Sequence, residues 1–131
     1  MKEDKNVVYK LIRFIVKPLF KIIYRPKIIN AGHIPLTGGA VIAGNHKHAL
    51  DPILVDICTN RVVYTLAKKE LHDGFFGFIF RAIGSIPVDL NSRENKQALA
   101  SAIKVLESEG LINVSPEAKR NYTDQLLLPF K

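Results

Sequence analysis

Residues 40–58 read AVIAGNHKHALDPILVDIC, and their order decides the fold. The run 40–44 is apolar without alternation, which suits a strand covered on both faces. It ends at Gly44, and Asn45, His46, Lys47, His48 and Asp51 follow before the apolar pattern resumes. Asp51 then offers an N-cap and Pro52 the first position of a helix. A strand that turns straight into a helix is the repeating unit of a layered α/β fold.

The same pattern extends outward from this turn. Further strand-like runs occur at 61–67 (RVVYTLA), 84–89 (GSIPVD) and 111–115 (LINVS). Helical patterns lie between them at 51–60, at 68–84 (KKELHDGFFGFIFRAIG) and at 91–110 (NSRENKQALASAIKVLESEG). In the last, Asn91 is expected to cap with Glu94, Ala98, Leu99, Ala102, Ile103 and Leu106 share a face, and Gly110 ends the helix. The fold class is therefore α/β, a mixed and largely parallel sheet flanked by helices. Ligands of such sheets gather at the carboxyl ends of strands, and both NHKHALD (45–51) and SPEAKR (115–120) directly follow a strand. The aromatic run FFGFIF (75–80) fits either a lipid contact or a helix buried under the sheet.

At 131 residues and 47% hydrophobic, the chain can bury one core. The single Cys58 excludes an internal disulfide framework and sits in the apolar run PILVDIC, as a packed thiol would. Charge divides the chain in two. Residues 1–27 hold eight Lys and Arg against Glu3 and Asp4, so six of the seven net positive charges lie in this leader and 28–131 is nearly neutral.

Within the leader, Lys10, Arg13, Lys17 and Lys21 recur at helical spacing and form one cationic stripe among large apolar residues. A membrane-spanning reading fails on energy. Arg13 and Lys17 near the centre would each oppose insertion by ~2.5–3.5 kcal/mol, while each Val, Leu, Ile or Phe returns only ~0.3–0.6. Pro18 weakens it further. The expectation is an N-terminal amphipathic helix on an anionic membrane surface, against the plainer arrangement of a helix packed on its own domain with its basic face in water. Whether it is one helix or a kinked pair is open at Pro18. No nucleic-acid partner is expected, because no recognition motif or aromatic-basic platform accompanies the stripe.

Across the 45–51 turn, the imidazole of His46 can meet the carboxylate of Asp51, an arrangement that fixes the ring tautomer and strengthens it as a general base. Plainer roles compete: Asp51 as a cap only, His48 as a surface residue, or His46, His48 and Asp51 around a metal. No further ligand motif completes a metal site, and no GxSxG elbow or Cys–His signature supplies a nucleophile. Removing a proton from a substrate hydroxyl is the remaining task for an activated histidine.

GNHKHALDP (44–52) resembles the NHxxxxD block of the glycerophospholipid acyltransferases, the 1-acyl-sn-glycerol-3-phosphate acyltransferase family. AKKEL with the aromatic run and AIGSIPVD resembles that family's second block, and SPEAKR, with the Pro-Phe-Lys ending, stands where its FPEGTR block stands. The resemblance covers about residues 26–131. It implies transfer of an acyl group from acyl-CoA or acyl carrier protein to lysophosphatidic acid, giving phosphatidic acid for phospholipid biosynthesis. His46 and Asp51 would be catalytic, with Asn45, Arg93, Glu117, Lys119 and Arg120 binding substrate. No metal or resident cofactor is implied. The leader would hold the protein, peripherally or monotopically, at the cytoplasmic face of the cell membrane.

The third block departs from the family pattern at Ser115, Ala118 and Lys119, and Leu90 follows Asp89 where Arg is usual. The family's further Gly-containing helix and Val-Pro strand have no counterpart before Lys131, so residues 28–131 are expected to be a domain lacking its C-terminal part, with LINVS or a neighbour left as an open edge. The competing reading is a non-catalytic, membrane-associated remnant of the family.

Overall fold

Strands β1 (Ala40–Ala43), β2 (Val63–Lys68), β3 (Ile86–Val88) and β4 (Leu111–Val114) form one sheet in the order β1-β4-β2-β3. Every pairing is parallel, so each connection must cross over, and helices supply the crossings. This computed structural model describes residues 2–82, 84–89, 91–92, 95–117 and 119–125. The helices are α1 (Lys2–Tyr24), α2 (Asp51–Ile57), α3 (Lys69–Asp73), α4 (Gly77–Ala82) and α5 (Lys96–Glu107), with a 3₁₀ turn at Ala31–His33. The chain adopts the expected α/β class, and the sheet, expected to be mixed and largely parallel, is parallel in every pairing among the described residues.

The core centres on β4, whose Leu111 and Ile112 are fully buried, with Val63 paired to Leu111; Ile86 and Ile57 are buried as well. Ile112 pairs with Val41 on one side and Tyr64 on the other. LINVS is thus an interior strand; its neighbour β1 takes the outer place, and Val41 is exposed there.

Several helix boundaries differ from expectation for local physical reasons. Helix α5 begins at Lys96, not at Asn91, because Asn95 ties the preceding loop together: its side chain accepts from the Asp89 amide (2.9 Å) and donates to the Asp89 carbonyl (3.0 Å). Glu94 lies outside the described residues. The buried face of α5 is Ala98, Ala102, Val105 and Leu106, while Leu99 and Ile103 face outward. The helix closes with the Glu109 amide on the Leu106 carbonyl (3.0 Å) and the Gly110 amide on the Val105 carbonyl (2.8 Å). Glu109 takes the left-handed turn (φ 59°), so Gly110 serves by its size: a Cβ there would meet the Val105 side chain at 2.6 Å. Helix α2 ends at Ile57, earlier than expected.

The 68–84 pattern splits into α3 and α4, with Gly74 extended between them. Phe75, Phe76 and Phe78 are exposed, Phe75 at 87%. The alternative that buried this run under the sheet is overturned.

Helix α1 continues through Pro18 as one helix and packs on α2 and α4. Its packed face is Tyr9, Ile12, Arg13, Val16, Lys17 and Phe20. Tyr9 and Phe20 are buried, and two such side chains contribute about 1.5–3 kcal/mol each, enough to offset a proline that costs about 3. The outward face carries Val7, Leu11, Phe14, Ile15, Leu19, Ile22 and Ile23, with Phe14 79% exposed. Two members of the cationic stripe therefore face the domain, and apolar side chains face out.

Arg61 fastens the connector after α1 to the end of α5, its guanidinium donating to the carbonyls of Pro35 (2.8 Å), Gly38 (2.7 Å) and Glu109. Arg61→Ala is expected to lower unfolding free energy by about 1–3 kcal/mol, measured as a lower denaturant midpoint at unchanged slope; a midpoint equal to wild type would show that water replaces these bonds at no loss.

Candidate functional site

Because β1 and β4 are adjacent and parallel, with Ala43 opposite Val114, the loops leaving their carboxyl ends start side by side. The Gly44 amide still reaches the Val114 carbonyl (3.1 Å). His46 and Glu117 each lie three residues beyond their strand, and the His46 amide donates to Glu117 Oε2 at 3.1 Å. Seventy-one residues of separation close here into one site.

The turn itself is organised by one carboxylate oxygen. Asp51 Oδ2 lies 3.1 Å from His46 Nδ1 and accepts the amides of Lys47 (2.7 Å) and His48 (2.8 Å). Asp51 stands in the first turn of α2, where a negative charge is favoured by the helix dipole. Leu50, not Asp51, takes the N-cap position expected for Asp51; the Asp51 carboxylate instead serves the amides of the preceding turn. Burial pushes the Asp51 carboxyl up, but the amides of His48 and Lys47 and the His46 ring outweigh it and hold it below its ordinary value. An ionised Asp51 on Nδ1 leaves Nε2 as the ring nitrogen available to a substrate.

His48 is occupied locally, its Nδ1 accepting the Leu50 amide at 3.2 Å. Among the described residues, no group of three or more His, Cys, Asp or Glu side chains is placed to hold a metal.

Glu117 and residues 121–125 form a strap against the turn. Glu117 is 6% exposed and Asn121 4%. Asn121 Nδ2 donates to Glu117 Oε1 (2.8 Å) and to the Gln125 carbonyl (2.6 Å), while its amide donates to the His46 carbonyl (2.5 Å). Its Oδ1 accepts from the Thr123 amide and hydroxyl. Lys47 Nζ reaches the Thr123 carbonyl (3.0 Å) and Asp124 (3.1 Å).

The expected site residues thus separate. His46, Asp51 and Glu117 are brought together, with Glu117 under the loop and both of its oxygens accepting protein donors. Asn45, Lys119 and Arg120 are exposed at the same end of the sheet, the Arg120 guanidinium 5.9 Å from the Tyr122 ring centroid. Arg93 and Ala118 lie outside the described residues. Asn121 carries no sequence signal; only its place four residues after Glu117, once both are known to be buried, marks it.

Set against known proteins, the family model described as Acyltransferase matches residues 25–131. No curated protein and no solved structure matches.

Since Asp51 titrates below its ordinary value in the folded chain, the stability it contributes is fully present above the ordinary carboxyl range and is lost as pH falls through the depressed value. The expected result is a wild-type advantage over Asp51→Asn in thermal unfolding that is constant near neutrality and shrinks on acidification. A pH-independent difference would contradict the stated role of the charge.

Proposed function

The chain belongs to the acyltransferase family, and from that membership together with the His46–Asp51 pair we propose that it esterifies lysophosphatidic acid at an anionic membrane surface, giving phosphatidic acid. The observation that carries the reading is the 3.1 Å contact of His46 Nδ1 with an ionised Asp51. His46 Nε2 takes the proton of the acceptor hydroxyl as its oxygen attacks the thioester carbonyl of acyl-CoA or acyl carrier protein. The tetrahedral adduct then collapses, the C–S bond breaks, and the departing thiolate takes the proton back from His46. Atoms balance without a covalent enzyme intermediate or a bound metal.

Lys119 and Arg120 supply cationic donors for the phosphate, with Arg93 and Asn45 as further contacts. Glu117 acts in this reading as the support of the His46 backbone, since a carboxylate would repel a phosphate and its oxygens already accept protein donors. The outward apolar face of α1 and the exposed Phe75, Phe76 and Phe78 support peripheral attachment to lipid at the cytoplasmic face of the cell membrane. Exposed Lys10 and Lys21 beside that face favour anionic headgroups. Among the described residues, no helix is long and apolar enough to cross a membrane.

The test is mass-spectrometric detection of phosphatidic acid from lysophosphatidic acid with each donor. His46→Ala is expected to lower the rate by about 10²–10⁴-fold with little change in denaturant midpoint. If wild type and His46→Ala are equally inert while folded and vesicle-bound, the non-catalytic reading replaces this one.

Attachment is tested separately. Phe75→Ser with Phe76→Ser is expected to lower the partition coefficient for anionic vesicles by about 10²–10⁴-fold, the loss of two side chains worth ~1.5–3 kcal/mol each when fully immersed. Unchanged co-sedimentation would remove the aromatic run from the lipid contact.

A further inference from the structure

Helix α2 cannot set its own direction. It has seven residues, of which only Ile57 is buried, and helices this short do not persist in isolation. Its geometry is fixed where it is held.

At its first residue, Asp51 orients His46. At its far end the grip comes from α1. The Tyr9 hydroxyl donates to Asp56 Oδ1 at 2.5 Å and accepts the Val63 amide at 3.1 Å. Arg13 donates to the Arg61 carbonyl at 2.9 Å and to the Asp56 carbonyl. Tyr9 is 4% exposed, and burial first, then the Asp56 charge, push its phenol well above its ordinary value, so it stays a donor. Asp56, Arg61 and Val63 lie at the end of α2 and on its link into β2.

Apolar contact alone would hold α1 on the domain more cheaply than a mostly buried carboxyl, whose burial outweighs Tyr9, Arg13 and Lys17 and leaves its pKa raised. What directional bonds add is control over the rotation and axial position of α2. That short helix carries the residue that orients the base.

We propose that Tyr9, Arg13 and Asp56 are positioning residues, a latch through which α1 sets the alignment of Asp51 on His46. The inference rests on His46 being the general base of the proposed reaction. It gives α1 a task at the site apart from lipid attachment.

The experiment uses the full chain and compares wild type with Tyr9→Phe, which keeps the ring and removes the hydroxyl. Three quantities are read: the ¹⁵N signals of the His46 ring at fixed pH, kcat and KM for acyl transfer, and co-sedimentation with anionic vesicles. The expected result is a folded, vesicle-bound variant whose His46 ring signals shift towards those of Asp51→Asn, with kcat lower by about tenfold and KM little changed. Asp56→Asn, which keeps an acceptor for the Tyr9 hydroxyl, is expected to stay closer to wild type than Asp56→Ala. Unchanged His46 signals in Tyr9→Phe overturn the latch, as does a loss of vesicle binding with those signals unaltered. Should wild type show no turnover, the reaction falls while the ring signals still decide the latch. If Tyr9→Phe does not fold, Arg13→Lys, which cannot reach both carbonyls with one planar fork, is judged by the same signals.

Discussion

One oxygen atom, Asp51 Oδ2, gathers two backbone amides and the His46 ring, and the rest of the site depends on it. A strand-to-helix turn leaves amides that neither the sheet nor the helix can satisfy. Here the carboxylate satisfies two of them and fixes the imidazole in the same stroke, so turn formation and tautomer selection are one event. The charge that does this stays ionised because its partners outweigh its burial.

The second constraint is topological. Placing β4 beside β1 in parallel brings the loop after β4 against the turn after β1, and buried Glu117 and Asn121 then clamp His46 through its amide and its carbonyl. Two carbonyl-side and amide-side bonds on one residue hold the backbone while Asp51 holds the ring. Each buried polar group of the strap has a partner, and among the described residues no buried side-chain nitrogen or oxygen is left without one. A polar network that is fully satisfied can rigidify a site; a partly satisfied one would weaken it.

Much of this was legible in the sequence because the strong signals are local. Unbroken apolar runs separated by helical spacing gave the parallel α/β layer, and the 45–51 spacing gave the His46–Asp51 pair. What stayed hidden depends on distant partners. Asn95 is as good a loop staple as a cap, and only contact with Asp89 decides between them. For Glu117 the sequence shows the charge, but neither its burial nor the His46 amide and Asn121 side chain that its oxygens accept. Asn121 looked like nothing at all, since an amide in a polar loop has no distinguishing pattern.

The leader shows how one stripe, correctly spaced, can divide between two surroundings, with Lys10 and Lys21 exposed and Arg13 and Lys17 against the domain. The stripe Lys10, Arg13, Lys17 and Lys21 is real, yet Arg13 turns inward to carbonyls of the domain, and Lys17 reaches Asn60 at 3.3 Å. Helical periodicity specifies which residues share a face and not what that face meets. A guanidinium finds the Asp56 carbonyl in the last turn of a short helix, and the Arg61 carbonyl in the link that follows, as good partners as headgroups, the former being an acceptor that helix geometry leaves unsatisfied. Once Arg13 is drawn in beside Tyr9, the opposite face of α1 must turn to the outside, and that face is apolar. The bonds that seat α1 on the domain are thus what expose its apolar side, so docking and any affinity for lipid arise from the same rotation of one helix.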